Sequence, residues 1–195
     1  MHDLSILRPL AGALLLLTAC ATLNAAEQPN TLTEKEIADG WILLFDGKTD
    51  FGWKAASQAD WKVADGAISV SDGEKGLLCT TSEFGDYVLK VDFHAEKSTN
   101  SGIFLRTAAQ PTNPAEDCYE LNIAPDGNPF PTGSFVARKK TEGGHTSGEW
   151  QSYEVQAEGA HFTIKLDGKL VLDYVDPKPL RRGRIGLQLN SGPVS

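Results

Sequence analysis

Glu120, in Tyr119-Glu120-Leu121-Asn122-Ile123, is a carboxylate set in an otherwise apolar strand pattern, and Arg106 closes the similar stretch Gly102-Ile103-Phe104-Leu105-Arg106. A carboxylate beside hydrogen-bonding groups can take up and return a proton, and a guanidinium can stabilise negative charge forming on oxygen. Asn122, Gln188 and Asn190 add amides of the kind that hold sugar hydroxyls, while Phe104, Trp150 and Trp53 are platforms for the face of a sugar ring. His145, in Gly143-Gly144-His145-Thr146-Ser147-Gly148, reads either as a surface histidine or as a lid residue delivering a proton near neutral pH. The sequence has no paired His spacing and no Asp-rich loop of the calcium type. A divalent metal ion would have to be assembled from separate strands.

The elements that must position these groups are strands. From Gly40 onward, short β-rich segments alternate with Gly, Asp, Asn and Pro clusters, and none has a sustained 3.6-residue apolar period. Strands are expected at 41–45, 61–64, 67–70, 76–79, 87–94, 102–107, 119–124, 134–137, 150–158, 161–166, 169–174 and 183–189. Asp65-Gly66 and Asp167-Gly168 are two-residue connections that accept positive φ and return the chain antiparallel. This spacing predicts an all-β domain, a concanavalin-like or jelly-roll β-sandwich of two antiparallel sheets.

Alternation assigns faces within these strands. Tyr87, Leu89, Val91 and Phe93 oppose Lys90, Asp92 and His94; Ile185, Leu187 and Leu189 oppose Gly186, Gln188 and Asn190. Tyr119, Leu121 and Ile123 oppose Glu120 and Asn122, and Ile103 with Leu105 opposes Gly102, Phe104 and Arg106. If the four strands are neighbours in one sheet, one face forms the core. The other collects Arg106, Glu120, Asn122, Gln188, Asn190, Lys90, Asp92 and His94 as a hydrogen-bonding surface. An antiparallel sheet with one solvated face shows the same alternation, and Lys90, Asp92 and His94 fit that plainer reading as well.

The chain has 195 residues. Residues 1–20 read as a signal peptide: Pro9 to Leu17 is an apolar run too short to span a bilayer, and Leu17-Thr18-Ala19-Cys20 looks like a lipobox. Cys20 is then an acylated anchor and the protein is periplasmic or tethered to the outer membrane; ordinary cleavage at the Ala19-Cys20-Ala21 pattern is the alternative. Residues 21–38 read as a spacer with a helical turn at 33–36, leaving 39–195 as one domain. Cys79 and Cys118 remain as an even pair in an oxidising compartment, which makes a disulfide the default expectation and two buried thiols the alternative. The net charge of -8 argues against a nucleic-acid partner. The basic cluster Arg181-Arg182-Gly183-Arg184 reads as a solvated turn before a strand.

Taken in order, several stretches carry a family likeness. Gly40-Trp41-Ile42-Leu43-Leu44-Phe45-Asp46-Gly47-Lys48-Thr49, then Trp53, Trp61 and Asp65-Gly66, then Phe84-Gly85-Asp86-Tyr87, are followed by Asn100-Ser101-Gly102-Ile103-Phe104-Leu105-Arg106. Tyr119-Glu120-Leu121-Asn122-Ile123, Thr132-Gly133-Ser134, Trp150 and Gly186-Leu187-Gln188-Leu189-Asn190 complete the set. Over about residues 39–195 the chain resembles the 3-keto-disaccharide hydrolase domain family. Two departures stand out: Asn190 occupies a position where the family pattern has His, and members continue past Gly192-Pro193-Val194 into one more strand.

The resemblance implies a carbohydrate substrate, a glycoside already oxidised at C3. A C3 ketone acidifies the C2 hydrogen, so a base can remove it and expel the C1 substituent, and water can add to the unsaturated product. On this reading Glu120 is the base, Arg106, Gln188 and Asn122 orient the sugar or stabilise charge, and His145 or His94 moves a second proton. A conventional glycosidase would need a second carboxylate about 5 to 5.5 Å away if retaining. Glu120 is followed on its own face by Asn122 and Ala124, so that partner would have to be Asp92 from another strand. A non-catalytic carbohydrate-binding module is the third reading, since one fold hosts binding and catalysis alike.

Overall fold

The computed structural model describes residues 30–144 and 147–195. The leader, Cys20 with its expected acylation, and His145 lie outside the described residues. Among the described residues no helix is long and apolar enough to cross a membrane.

The described chain begins with one short helix, α1 (Glu34–Ala38), where the sequence predicts a helical turn. Thr33 caps it: its hydroxyl accepts from the Glu36 backbone N–H while the Glu36 carboxylate accepts from the Thr33 N–H at 2.9 Å. This reciprocal pair satisfies two donors that the first turn leaves open.

Eleven strands follow: β1 (Trp53–Ala55), β2 (Lys62–Ala64), β3 (Ala67–Ser69), β4 (Gly76–Thr80), β5 (Tyr87–His94), β6 (Ser101–Thr107), β7 (Tyr119–Ile123), β8 (Trp150–Glu158), β9 (His161–Leu166), β10 (Lys169–Val175) and β11 (Arg184–Leu189). They form a five-stranded sheet in the order β1-β4-β11-β6-β7, a four-stranded sheet in the order β10-β9-β8-β5, and the separate hairpin β2-β3. Every pairing is antiparallel. Asp65 and Gly66 have φ of 51° and 77°, and Asp167 and Gly168 have 50° and 77°, the conformation expected at both hairpins.

The two larger sheets close on one apolar core. Ile103, Leu105, Leu121 and Ile185 come from the five-stranded sheet and meet Phe93, Val155, Phe162 and Ile164 from the other. Tyr119, Phe135 and Phe162 pack ring against ring, with centroids 4.3 to 5.5 Å apart. Burying these faces is the main favourable contribution to such a sandwich. A buried polar cluster sits at its margin: the Tyr119 hydroxyl donates to Asp176 at 2.6 Å, and Arg138 pairs with the same carboxylate at 2.8 Å while lying over the Tyr119 ring.

Two expected strands do not form. Residues 41–45 make no ladder; the Leu44 carbonyl accepts from Trp53 Nε1 at 2.7 Å and Leu44 packs on the core. Trp53 therefore braces the fold and is no sugar platform. Residues 134–137 do run beside β7, with Asn122 N–H donating to Ser134 O and Val136 N–H to Glu120 O. A tight turn from Phe135 to Lys139, with Ala137 at φ 59°, cuts the pairing short.

A third correction concerns β5. It pairs with β8 and belongs to the four-stranded sheet. Lys90, Asp92 and His94 therefore lie on the far side of the sandwich from Glu120. There Lys90 Nζ stands 4.8 Å from the Trp41 ring centroid, Asp92 accepts from the Ser152 hydroxyl, and His94 packs beside Trp150. Trp150, 58% exposed, is on that outer face too and cannot be a platform for the same ligand as Glu120.

Candidate active site

The outer face of the five-stranded sheet is a grid whose rows are set by strand register. Cys79, Gly186, Phe104 and Glu120 face one another across β4, β11, β6 and β7. In the next row Leu77 faces Gln188, and Gly102 faces Asn122. Lys75 and Asn190 lie one step further along β4 and β11, where Lys75 Nζ donates to Asn190 Oδ1 at 2.8 Å.

Above this grid is a cleft of about 410 Å³. Its floor includes Phe104, Glu120, Gln188 and Asn190; Ala56 and Ser57 form one wall, and the loop from Ala109 to Pro114 forms the other. That loop is held from within. The Asp117 carboxylate accepts from the Thr112 N–H and hydroxyl and from the Asn113 N–H at 2.8 to 3.0 Å. Gln110 Nε2 donates to Ala56 O at 2.9 Å and ties the two walls together.

Glu120 sits deep in the cleft, 7% exposed. Burial raises its pKa above the ordinary carboxylate value, and hydrogen bonding from the Gln188 side chain partly offsets this. The close approach of the two side chains depends on Gly102. A Cβ on that residue would stand 3.4 Å from Glu120 Cγ, 3.6 Å from Gln188 Oε1 and 3.0 Å from Leu121 O. Gln188 Oε1 is buried with no hydrogen-bond partner, an acceptor left over beside an acid that holds its proton tightly. A buried carboxyl group beside an amide is chemically able to take up and return a proton.

Arg106 does not join it. Its φ is 47°, and β6 and β11 slip register at that point, with the two residues between Phe104 and Thr107 set against the one between Gly186 and Arg184. The bulge turns the side chain away from the Glu120 face, where it is fully buried over the Phe162 ring. Its nitrogens donate to the carbonyls of Gly85, Gly159 and Leu180 at 2.6 to 2.9 Å and to Asp86 at 3.0 Å. Arg106 is thus a clasp for three loops, and the expectation that it shares the Glu120 face is corrected. Gly183 packs on the bulge so tightly that a Cβ there would meet the Arg106 backbone at 2.3 Å.

The remaining candidates divide. Phe104, Gln188 and Asn190 line the cleft with Glu120. Asn122 shares the face but is 2% exposed and is not part of the cleft lining; its Nδ2 donates to Phe130 O. Cys79 and Cys118 are free thiols. Three strand spacings separate their strands, about 14 Å along the sheet, with Phe104 packed between them. A disulfide needs Cα atoms within about 7 Å, so the expected bridge is corrected. Burial pushes the Cys79 thiol up to about 11 and the Cys118 thiol up to about 12, which keeps both protonated.

Lys75 and Glu74 were not foreseen as cleft residues. The signal was available for Lys75: extending the alternation of Leu77 and Cys79 back by two residues puts it on their face. Glu74 lies at the cleft end away from Glu120, where its Oε2 accepts from the Gln58 N–H at 3.1 Å. Among the described residues, no group of three or more His, Cys, Asp and Glu is arranged to hold a metal ion.

Comparison with known proteins agrees with this architecture. A Bacteroides thetaiotaomicron protein named 3-keto-disaccharide hydrolase is 34% identical over 95 residues, covering 43% of this chain and 32% of its own length. The chain therefore spans about a third of that relative. A crystal structure of a Parabacteroides distasonis protein described as a glycosyl hydrolase superposes with a TM-score of 0.74 at 23% identity, covering 86% of this chain and 95% of the other. A carbohydrate-binding module from Bacillus subtilis superposes with a TM-score of 0.56 at 17% identity, covering 73% of this chain and 90% of the other. Both likenesses are of fold. The family model described as 3-keto-alpha-glucoside-1,2-lyase-like domain matches residues 40–195, and the chain belongs to that family.

Proposed function

We propose that this chain cleaves glycosides carrying a ketone at C3 of the sugar, with Glu120 as the proton-transfer group. The observation that carries the reading is the Glu120 carboxyl, deep in the cleft beside Phe104 and Gln188, with a raised affinity for its proton. In its ionised form Glu120 takes the C2 proton. The C–H electrons move toward C3, whose ketone oxygen takes the negative charge of an enolate. That charge returns to form the C1=C2 double bond as the bond from C1 to the leaving oxygen breaks. Glu120, now protonated, can return the proton to the departing alkoxide. Water then adds across the double bond, hydroxyl at C1 and hydrogen at C2, and gives the free 3-keto sugar.

Gln188 is placed to act on Glu120 directly. Its amide can donate to the carboxylate and accept from the carboxylic acid, so it can serve both protonation states. Phe104 supplies an apolar surface for the ring. With Arg106 buried elsewhere, charge on the enolate oxygen falls to the cleft's own donors.

A conventional double-displacement mechanism has less support. It needs a second carboxyl group close to the first. Asp92 is on the opposite sheet, and Glu74 is at the far end of the cleft.

The test is incubation of the purified chain with methyl 3-keto-glucosides and with their unoxidised parents, with and without chelator. Cleavage of the ketone alone, with deuterium incorporated at C2 in heavy water, is the expected result. Cleavage of the unoxidised parent alone would sink the elimination route. Sugar binding without turnover, and unchanged in Glu120→Gln, would assign the chain to the binding modules.

A further inference from the structure

Of the aromatic side chains expected as sugar platforms, Phe104 lines the cleft and Trp53 braces the fold. Trp150 does neither and stands 58% exposed at the start of β8. It is firmly placed there. Its register partner on β5 is His94, whose ring centroid lies 5.6 Å from that of the indole. Asp167 fastens the next two residues, accepting from Gln151 Nε2 at 2.6 Å and from the Ser152 N–H at 2.8 Å. The preceding turn is pinned by the Gly148 N–H, which donates to Ala95 O at 3.0 Å. An aromatic surface fixed in this way loses little freedom when a ligand covers it.

A second indole stands on the same face. The Trp41 N–H donates to Glu36 O at 3.0 Å, which ties the residue to α1, and its ring lies over Lys90. Lys90 and His94, the β5 residues that meet the two indoles, are four residues apart, about 13 Å at strand rise. Between them Asp92 faces Ser152, and Lys90, Asp92, Ser152 and Glu154 line a pocket of about 150 Å³. Asp92 Oδ1 accepts from the Ser152 hydroxyl, and among the described residues Oδ2 has no protein donor.

These parts select the chemistry of a ligand. An indole covers the C–H face of a sugar ring, while carboxylate oxygens, hydroxyls and an ammonium exchange hydrogen bonds with sugar hydroxyls. With single bonds near 1.5 Å, a pyranose ring and its linking oxygen measure about 5 Å, so 13 Å spans about two to three linked rings. The net charge of -8 disfavours a polyanion. A protein partner would want an apolar centre, whereas here Lys90 faces Glu154, Glu154 faces Lys165, and Gln156 faces Thr163.

The geometry points to a second carbohydrate site on the outer face of the four-stranded sheet, where Trp150 and Trp41 hold a neutral glycan chain across Asp92. It lies on the opposite side of the sandwich from Glu120, so it retains the protein on a polymer and takes no part in the reaction.

The test is affinity electrophoresis of the purified chain through gels containing hydroxyethyl cellulose, xylan or soluble starch. Retardation by at least one of these polymers is expected. Trp150→Ala should weaken it about tenfold or more, the loss typical of an aromatic anchor, and Trp150→Tyr should recover part of it. Phe104→Ala, on the floor of the cleft, should leave retardation unchanged. Asp92→Ala removes the carboxylate without touching either indole, should also weaken retardation, and decides the matter if Trp150→Ala does not fold. No retardation by any of the three polymers, retardation abolished by Phe104→Ala, or retardation untouched by the outer-face variants overturns the site. A wild-type dimer in sedimentation that Trp150→Ala dissociates would overturn it as well, and assign the face to a second copy of the chain. None of these outcomes depends on turnover at Glu120.

Discussion

Gly102, one row along from Glu120, leaves room for its side chain: a Cβ at residue 102 would come within 3.4 Å of Glu120 Cγ and within 3.0 Å of the Leu121 carbonyl oxygen. The carbonyl is backbone and cannot swing aside. Gly102→Ala is therefore expected to shift β6 against β7 and displace the carboxyl group. Misplacement of a reacting group by about 1 Å can cost 100-fold in rate. We expect kcat/KM on a 3-keto-glycoside to fall by at least tenfold, with about 1 to 3 kcal/mol lost from stability in denaturant titrations.

Burial of Glu120 has a pH-dependent cost. Its folded-state pKa is raised, so the folded chain holds this proton more tightly than the unfolded chain does. The contribution is fully present below the unfolded carboxylate pKa and is lost as pH rises through the folded value. Glu120→Gln keeps the shape and removes the charge. Its melting temperature should match the wild type at pH 4 and exceed it at pH 8, while turnover falls by about 100-fold to 10,000-fold, the usual contribution of a proton-transfer group. Equal melting temperatures at pH 8 would contradict a buried, strained carboxylate.

Arg106 should matter to folding and not to chemistry. Arg106→Leu strands the carbonyls of Gly85, Gly159 and Leu180 inside the protein. Removing one side of such a buried charged network typically costs about 3 to 5 kcal/mol. Denaturant midpoints should drop accordingly, with kcat/KM per folded molecule retained at low temperature. A large loss of kcat in a stably folded Arg106 variant would return this residue to the reaction.

The two cysteines provide a covalent check. Alkylation after denaturation without reductant should label both Cys79 and Cys118, and the native chain should resist labelling, since both thiols are buried. Reductant should leave the melting temperature unchanged. Recovery of a Cys79 to Cys118 cross-linked peptide would require the sheet to be ordered differently.

Much of this fold was legible because alternation and turn chemistry are local. The segments 87–94, 150–158 and 161–166 form strands with the expected bounds, and both Asp-Gly turns adopt positive φ. The shared face of Phe104, Glu120 and Gln188 follows from the same period of two. What alternation cannot supply is the identity of the neighbouring strand. It separates Lys90, Asp92 and His94 from the core correctly, yet β5 joins the other sheet and carries them to the opposite side. Arg106 was lost for a different reason. One residue at φ 47° resets the alternation, and an arginine gives no warning of a conformation that glycine would have advertised. The cysteine pair shows a third limit, because an even count says nothing of strand order.

The backbone from Gly133 to Val136 runs beside β7 and occupies hydrogen-bonding groups of Glu120 and Asn122 that an edge strand would leave open. Exposed edges are where sandwich proteins recruit one another into extended assemblies. The strand bearing Glu120 is thereby closed along this stretch to pairing with a second molecule, so the sheet is blunted at its β7 end by the chain's own backbone.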